Sequence, residues 1–386
     1  MIRILNVISR LNIGGISPYL IPLTRCLREA GFDAQLAAGS VGLNEGDMSY
    51  LTTQAGITVL DVPRLGRDIS PLRDLATVRD LVRLFRQQRP HIVHTHTAKA
   101  GFAGRLAAKL AGVPLIFHTY HGHVFGQYFS PAKTALYKLL DRFTGALSTQ
   151  IVTVAQNLRR ELTEVHHIAA PDRVEVVIPG YDLRALRALQ RGDHSFRARL
   201  GIPPEAPLVG IVGRIVPIKN HALFLEAAAL AYKTIPEARF LIVGDGELRA
   251  QTEAQVDALG LRERVIFTGW ITDLPPLYST LDLLVLCSKA EGLPSSIIEA
   301  LVTGVPVAAT AVGGVVDLLA DHLGALVPSE DADALGEAII TQLRDPQVKP
   351  RAEANRTAAF DLYHIEPSAQ RIEAYYRRWL GLRGLI

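Results

Sequence analysis

Two carboxylates stand in Glu291-Gly-Leu-Pro-Ser-Ser-Ile-Ile-Glu299, between the apolar run Leu281 to Cys287 and the segment Val305-Pro-Val-Ala-Ala. The order strand, loop, helix, strand puts Glu291 on a loop at a strand's carboxyl end and Glu299 inside the following helix, where open parallel sheets hold ligands. Carboxylates there can accept hydrogen bonds from the hydroxyls of a sugar and a ribose. A second group, Gly213-Arg214-Ile-Val-Pro-Ile-Lys219, follows another apolar run and opens a helix. A guanidinium and an ammonium on one strand-to-helix loop can converge on a diphosphate, with helix-end amides adding partial positive charge. Taken alone, that loop reads equally well as two solvated surface charges. A third group is His118-Thr-Tyr-His121-Gly-His123-Val-Phe125. A histidine can donate or accept near neutral pH, which suits a site where a leaving group and an incoming hydroxyl exchange a proton.

Each group has a plainer alternative. Ser296-Ile-Ile-Glu299 fits a capping box, in which the glutamate turns back to a backbone amide. His94 and His96 on one strand face, with His118 and His121, suggest zinc. No acidic residue or cysteine lies between Leu81 and Leu140, so carboxylate or thiolate co-ligands would have to come from elsewhere, and no metal is expected. A nicotinamide-dependent oxidoreductase fails on detail. The first strand leads to Leu11-Asn-Ile-Gly14-Gly15-Ile rather than G-x-G-x-x-G, and Val243-Gly244-Asp-Gly246-Glu247 lacks the third glycine.

Positioning these groups requires alternating strands and helices. Strand-like runs fall near 2–8, 33–38, 57–60, 91–94, 114–118, 149–154 and 174–178, then near 207–212, 238–243, 264–267, 282–287, 305–309 and 324–327. Helical patterns occupy 71–88, 130–146, 220–233, 247–259, 295–303 and 331–344. This is an α/β pattern of parallel sheets covered on both faces. At 386 residues the chain exceeds what one core usually supports. The break falls after Ile178-Pro-Gly-Tyr-Asp182, giving domains over 1–178 and 183–360. A terminal helix within 365–386 carries Ile372, Tyr375, Tyr376 and Trp379 on one face and is expected to cross back to the first domain.

The two cysteines, Cys26 and Cys287, sit in apolar stretches, which fits buried thiols in a reducing cytoplasm. Met1 to Ile8 reads as a first strand rather than a signal peptide, and glycines and a proline in Ala300 to Val316 argue against a spanning helix. The formal charge is +3, with bases in excess over residues 1–178 and acids in excess after them. Arg83, Arg86, Arg89, Lys99, Arg105, Lys109, Lys133 and Lys138 fall in the acid-free stretch, so an anionic ligand or membrane surface is one expectation and solvated helix faces the other. Helices near 71–88 and 130–146 add Leu75, Val82 and Phe85, then Phe129, Leu136, Leu140 and Phe143, in faces that more often belong to a core.

Arg214, Lys219, Glu291 and Glu299 stand in one order with Val243-Gly-Asp-Gly-Glu247, Thr268-Gly-Trp-Ile-Thr-Asp273 and Val312-Gly-Gly-Val315. That ordered set resembles the retaining glycosyltransferases of family 4. The resemblance spans the chain and is more specific in its second half. It implies the GT-B fold, two doubly wound Rossmann-like domains facing each other across a cleft. It also implies that Arg214 and Lys219 bind the donor diphosphate, Glu291 the transferred sugar and Glu299 the ribose. Gly213, Gly244, Gly246, Trp270, Ile271, Gly292, Leu293, Pro294 and Ser295 would line the donor, with Gly14 and Gly15 approaching from the first domain. His121 would lie beside the reacting carbon, with Lys99 and His123 toward the acceptor, though His123 equally reads as a support for His121.

The implied reaction moves a sugar from a nucleoside-diphosphate donor, commonly a UDP-sugar, to a saccharide or polyprenyl-linked acceptor in envelope glycan synthesis. It uses front-face displacement with retention and no metal or other cofactor. The His118 to Phe125 loop offers no carboxylate nucleophile, which agrees. Cytoplasmic placement, with peripheral contact to the inner face of an anionic membrane, is the expectation, and no nucleic-acid partner is expected. The competing readings are a UDP-sugar epimerase of the same fold and a non-catalytic nucleotide-sugar-binding subunit.

Overall fold

The computed structural model describes residues 1–42, 46–66, 70–123, 125, 130–192, 195–320 and 323–386. They divide into two compact units, Met1–Asp182 with Tyr363–Ile386, and Leu183–Leu362. Each unit is a parallel sheet covered by helices, as the continuous apolar runs require.

The first sheet contains β1 (Arg3–Ile8), β2 (Asp33–Ala38), β3 (Val59–Asp61), β4 (Ile92–His96), β5 (Leu115–Tyr120), β6 (Gln150–Thr153) and β7 (Val174–Val176), in the order β3-β2-β1-β4-β5-β6-β7. The second contains β8 (Leu208–Val212), β9 (Arg239–Val243), β10 (Val265–Gly269), β11 (Leu283–Leu286), β12 (Val307–Thr310) and β13 (Ala325–Val327), in the order β10-β9-β8-β11-β12-β13. Both orders reverse direction once, between β1 and β4 and between β8 and β11. At such a reversal the loops leaving the two central strands turn opposite ways and open a crevice at their carboxyl ends. The loops concerned carry Gly14 after β1, Thr97 after β4, Gly213 to Lys219 after β8, and Ser288 to Glu291 after β11.

The expected strands are all present, with ends shifted by up to about two residues, and the helices Pro71–Gln88 and Ser295–Thr303 match their expected spans. The sequence reading did not resolve Val348–Tyr363, whose apolar residues are too evenly spread to mark a face, or the short Leu274–Thr280. The arginine-rich stretch after Asp182 holds short helices, and two of its arginines turn inward. Arg197 is buried and donates to the carbonyls of Ala206 and Thr280 and to Asp282 Oδ2 at 2.6 Å. Arg191 donates to the carbonyls of Leu281 and Gly304. Guanidinium groups here satisfy backbone carbonyls at the amino-terminal edge of the second sheet, which otherwise would lack donors.

The terminal helix, Ile365–Leu382, packs in the first unit as expected. The Tyr181 amide donates to Tyr363 O at 2.9 Å, and Tyr376 OH bonds His94 Nδ1 at 2.6 Å. Tyr375, Tyr376 and Trp379 surround Phe117, with centroids 5.1, 5.8 and 6.2 Å from it. Aromatic pairs at these separations add to the burial of their area.

Candidate functional site

In the second unit one expected cation, Lys219, and one expected carboxylate, Glu291, are drawn together by the two loops at the strand reversal. Lys219 ends the 3-10 turn Pro217–Lys219 after β8, and its Nζ lies 2.5 Å from Glu291 Oε1. Ser288 Oγ donates to the same oxygen at 2.6 Å. Glu291 Oε2 has no partner among the described residues, so one oxygen of this carboxylate is fixed and the other remains able to accept. Arg214 is half-buried on the same loop as Lys219. Gly292, Leu293, Pro294 and Ser295 connect Glu291 to the helix Ser295–Thr303.

Glu299 lies one turn into that helix. Tyr278 OH donates to its Oε2 at 2.6 Å. The capping box is not formed: the N-cap is Pro294, with no side-chain capping bond, so Ser296 lies in the first turn rather than at the cap the box requires. Burial raises the pKa of Glu299, while Tyr278 and Ser295 oppose that rise by bonding the charged form. The buried Tyr278 phenol is raised well above its ordinary value by burial and then by the Glu299 charge, so it stays a donor.

The glycines of this region answer to backbone packing between loops. A Cβ on Gly244 would fall 2.1 Å from Gly213 O, and one on Gly246 would fall 2.4 Å from Ile215 O. The Gly213 amide donates to Val243 O and the Ile215 amide to Asp245 O, both at 2.9 Å. These glycines let the loop bearing Arg214 approach closely, and they hold it in place. Gly313 performs the same service for Glu291: its φ is +47° and a Cβ would meet Glu291 O at 1.8 Å, while the Gly314 amide donates to Gly292 O at 2.9 Å. Trp270 follows β10 with its ring edge against Gly244 and is 40% exposed, and Ile271 is half-buried beside it in sequence.

In the first unit His121 Nε2 bonds His96 Nδ1 at 3.0 Å, and Tyr19 meets the His121 ring edge-on at 5.9 Å. Burial lowers the pKa of His121 to about 3 and that of His94 to about 3, and holds His96 and His118 well below the usual range. All four are therefore neutral at physiological pH. His94 is saturated by Tyr376 and Thr119, and His118 is a core residue bonded to Thr95 Oγ1 at 2.9 Å. Among the described residues, no group of three or more His, Cys, Asp or Glu side chains is arranged to hold a metal ion.

The acceptor-side expectations meet competition. Lys99 Nζ is paired with Asp74 Oδ1 at 2.8 Å, and His123 Nε2 bonds Glu161 Oε2 at 2.8 Å while its Nδ1 accepts from the Phe125 amide. The carboxylate that the His118 to Phe125 loop lacks in sequence is thus supplied by Glu161 from the π-helical turn Glu161–Val165. Both its oxygens are committed, since Asn157 Nδ2 donates to Oε1 at 3.0 Å. Gly14 is exposed, and a Cβ there would meet nothing within 4 Å, so packing does not demand glycine at that position.

Two residues of this site were missed in the sequence. Ser288 could have been found from its place three residues before Glu291 at a strand end. Tyr278 carried no signal, since an aromatic between apolar residues reads as core.

Residues 193–359 match the family described as "Glycosyl transferases group 1", and residues 14–180 match "Glycosyl transferase 4-like domain". The chain is 31% identical over 320 residues to the UDP-Gal:alpha-D-GlcNAc-diphosphoundecaprenol alpha-1,3-galactosyltransferase of Escherichia coli, covering 82% of each chain. It is 30% identical over 385 residues to the 2-deoxystreptamine glucosyltransferase of Streptomyces kanamyceticus, covering 94% of this chain and 98% of that one. Among solved structures, an Anabaena protein in complex with UDP and glucose superposes with a TM-score of 0.81 at 21% identity, over 98% of this chain and 100% of the other. The sucrose-phosphate synthase of Thermosynechococcus elongatus gives 0.81 at 22% identity, over 99% and 100%.

Proposed function

We propose, from the premise that this chain belongs to the GT-B glycosyltransferases of family 4, that it moves a sugar from a UDP-sugar to a saccharide or polyprenyl-linked acceptor. The observation that carries this reading is the 2.5 Å pairing of Lys219 with Glu291 on the two loops that leave β8 and β11 at the strand reversal. Lys219 and Arg214 are assigned to the diphosphate, where a preorganised cation stabilises the charge that develops on the leaving group. Glu291 is assigned to the transferred sugar through its uncommitted oxygen, and Glu299 to the ribose. Trp270 and Ile271 are assigned to the base.

His121 is assigned to hydrogen bonding beside the reacting sugar, as a neutral imidazole rather than as a base that must titrate near pH 7. Retention by front-face displacement is the mechanism we favour, the leaving phosphate taking the acceptor's proton. Glu161, the carboxylate nearest the histidine loop in the described bonds, has both oxygens engaged and is therefore poorly placed to serve as a nucleophile. The side-chain cations supply the charge this scheme needs, so we assign it no metal. His123 is given no acceptor role, because Glu161 and the Phe125 amide occupy both its ring nitrogens, whereas Lys99, whose ammonium can donate to more than its one paired carboxylate Asp74, is assigned to the acceptor.

The test is to incubate the protein with labelled nucleotide sugars, with and without polyprenyl-diphosphate sugars. Transfer that requires the acceptor supports the reading. Interconversion of the donor without acceptor would identify an epimerase, and binding without either would identify a carrier.

An inner membrane face is the second part of the proposal. On the helix Pro131–Leu147 the side chains of Leu136, Leu139 and Phe143 are exposed at helical spacing, with Lys133 and Lys138 on the same helix. Leu75 is exposed as well, whereas Phe85 is core, Val82 and Leu140 are half-buried, and Phe129 lies outside the described residues. An apolar stripe flanked by bases suits shallow insertion into an anionic interface. Among the described residues no helix is long and apolar enough to cross a membrane. Co-sedimentation with anionic vesicles should be reduced by Leu139→Asp with Phe143→Asp, and absence of wild-type binding even at low salt would remove this part.

A further inference from the structure

The two donor-site carboxylates share a feature that the glycosyltransferase reading does not itself require. Each has one oxygen taken by a hydroxyl from a neighbouring element. Ser288 Oγ donates to Glu291 Oε1 at 2.6 Å, and Tyr278 OH donates to Glu299 Oε2 at 2.6 Å. Both hydroxyls are anchored. Ser288 is fully buried, and its carbonyl accepts from Thr310 Oγ1 at 2.6 Å, which ties the end of β11 to β12. Tyr278 is fully buried on the helix Leu274–Thr280, and its OH also reaches Ser296 O at 3.3 Å.

A carboxylate on an unbranched side chain can rotate about its last bond. A strong hydrogen bond to one oxygen from a buried, immobile donor, acting beside Lys219 on the same Glu291 oxygen and beside Ser295 on Glu299, sets the plane of the group and so the direction in which the other oxygen accepts. The arrangement also separates the two groups. Ser288 reaches Glu291 from a strand end, and Tyr278 reaches Glu299 from a different helix, so nothing in the described bonds couples one carboxylate's orientation to the other's.

We propose that Ser288 and Tyr278 are positioning residues that divide donor recognition between them, Ser288 aiming Glu291 at the sugar and Tyr278 aiming Glu299 at the ribose. This rests on the assignments of Glu291 and Glu299 made above. Neither hydroxyl touches substrate in this scheme. Their loss weakens the recognition step served by the carboxylate they aim and leaves the other step intact.

The experiment is a double dissociation by calorimetric titration of the full chain. Two ratios are measured for each variant. One is the affinity for the tightest-binding of UDP, GDP and ADP relative to its 2′-deoxy counterpart, which reports ribose recognition. The other is the affinity for the best-bound sugar conjugate of that nucleotide relative to the nucleotide alone, which reports sugar recognition. Tyr278→Phe is expected to shrink the first ratio at least threefold and leave the second within twofold of wild type. Ser288→Ala is expected to do the reverse.

Glu299→Gln and Glu291→Gln set the reference. If either fails to change its own ratio, the underlying assignment of that carboxylate is wrong and the inference falls with it. If both reference variants behave as assigned, while Tyr278→Phe and Ser288→Ala leave the ratios unchanged or lower both equally, the assignments stand and the positioning role is overturned. Tyr278→Leu and Ser288→Thr, compared by thermal melting, separate a folding defect from a loss of aim. Rescue of the second ratio by the threonine hydroxyl counts for the proposal, and failure of rescue with unchanged melting counts against it.

Discussion

The candidate site of the second unit and the histidine cluster of the first handle polar groups in opposite ways. At the candidate site, charged side chains on loops and one helix are half-buried and each partly satisfied, as with Lys219, Glu291 and Glu299. In the first, four imidazoles are packed closely enough that burial keeps them neutral, and the charges that do go inside are closed off, as with Arg105, whose fully buried guanidinium donates to Gly101 O and to Asp141 Oδ1 at 2.7 and 2.9 Å. A group kept at a loop with spare valence can exchange partners with a ligand, whereas a group sealed in a core only fixes geometry. The contrast is what the proposed scheme requires of the second unit, to which it gives the charged leaving group.

Replacing Lys219 gives the largest expected effect. Lys219→Ala should lower transfer about a hundredfold, equivalent to roughly 3 kcal/mol of lost stabilisation of the leaving group, with little change in melting temperature. Turnover close to wild type would break the distinction between the units. Arg105→Ala should act the other way round, costing about 3 kcal/mol of unfolding free energy in urea titrations because it strands a half-buried carboxylate and a buried carbonyl. A surviving Arg105→Ala protein of unaltered stability would mean that the pair is not sealed as described.

Acid tests the histidine cluster next. His94 and His121 have folded pKa values near 3 against about 6.5 unfolded, so the unfolded chain binds more protons between those limits. Their contribution to stability is complete above about pH 6.5 and is lost progressively as pH falls toward 3. Urea titrations at pH 7.5 and 5.5 should therefore give the lower unfolding free energy at 5.5, and His94→Phe should flatten that dependence. Equal stabilities at the two pH values would show that the imidazoles are not shielded. The smallest effect is expected from Thr119→Val, which removes a 2.7 Å bond to His94 Nε2 and should cost about 1 kcal/mol, measured by the same titration.

What could be read from the sequence followed from how local each signal is. β8 and β11 are continuous apolar runs whose identity depends only on neighbours in the chain, and the alternation of such strands with helices gives the sheet type directly. The loop positions of Lys219 and Glu291 follow from the strand ends. Partners drawn from distant segments were not legible. Tyr278 lies 21 residues before the glutamate it bonds, Glu161 lies 38 residues after His123, and Tyr376 lies 282 after His94. The absence of acids from Leu81 to Leu140 was read as an open basic surface. Asp74 and Asp141, just outside that stretch, in fact neutralise Lys99 and Arg105 within it. The glycines at 244 and 246 were placed correctly on a strand-end loop, and the packing partner each admits, the backbone of Gly213 and Ile215, lies about 30 residues earlier in the chain and left no local signal.

The central claim, that the loops after β8 and β11 hold the diphosphate and sugar of the donor, is tested most directly by amide hydrogen exchange with and without UDP. The account predicts slowed exchange concentrated in residues 213–220 and 288–296, lost in Lys219→Ala at the same UDP concentration. Protection confined to other segments, with those two loops unchanged while UDP is bound, would contradict it.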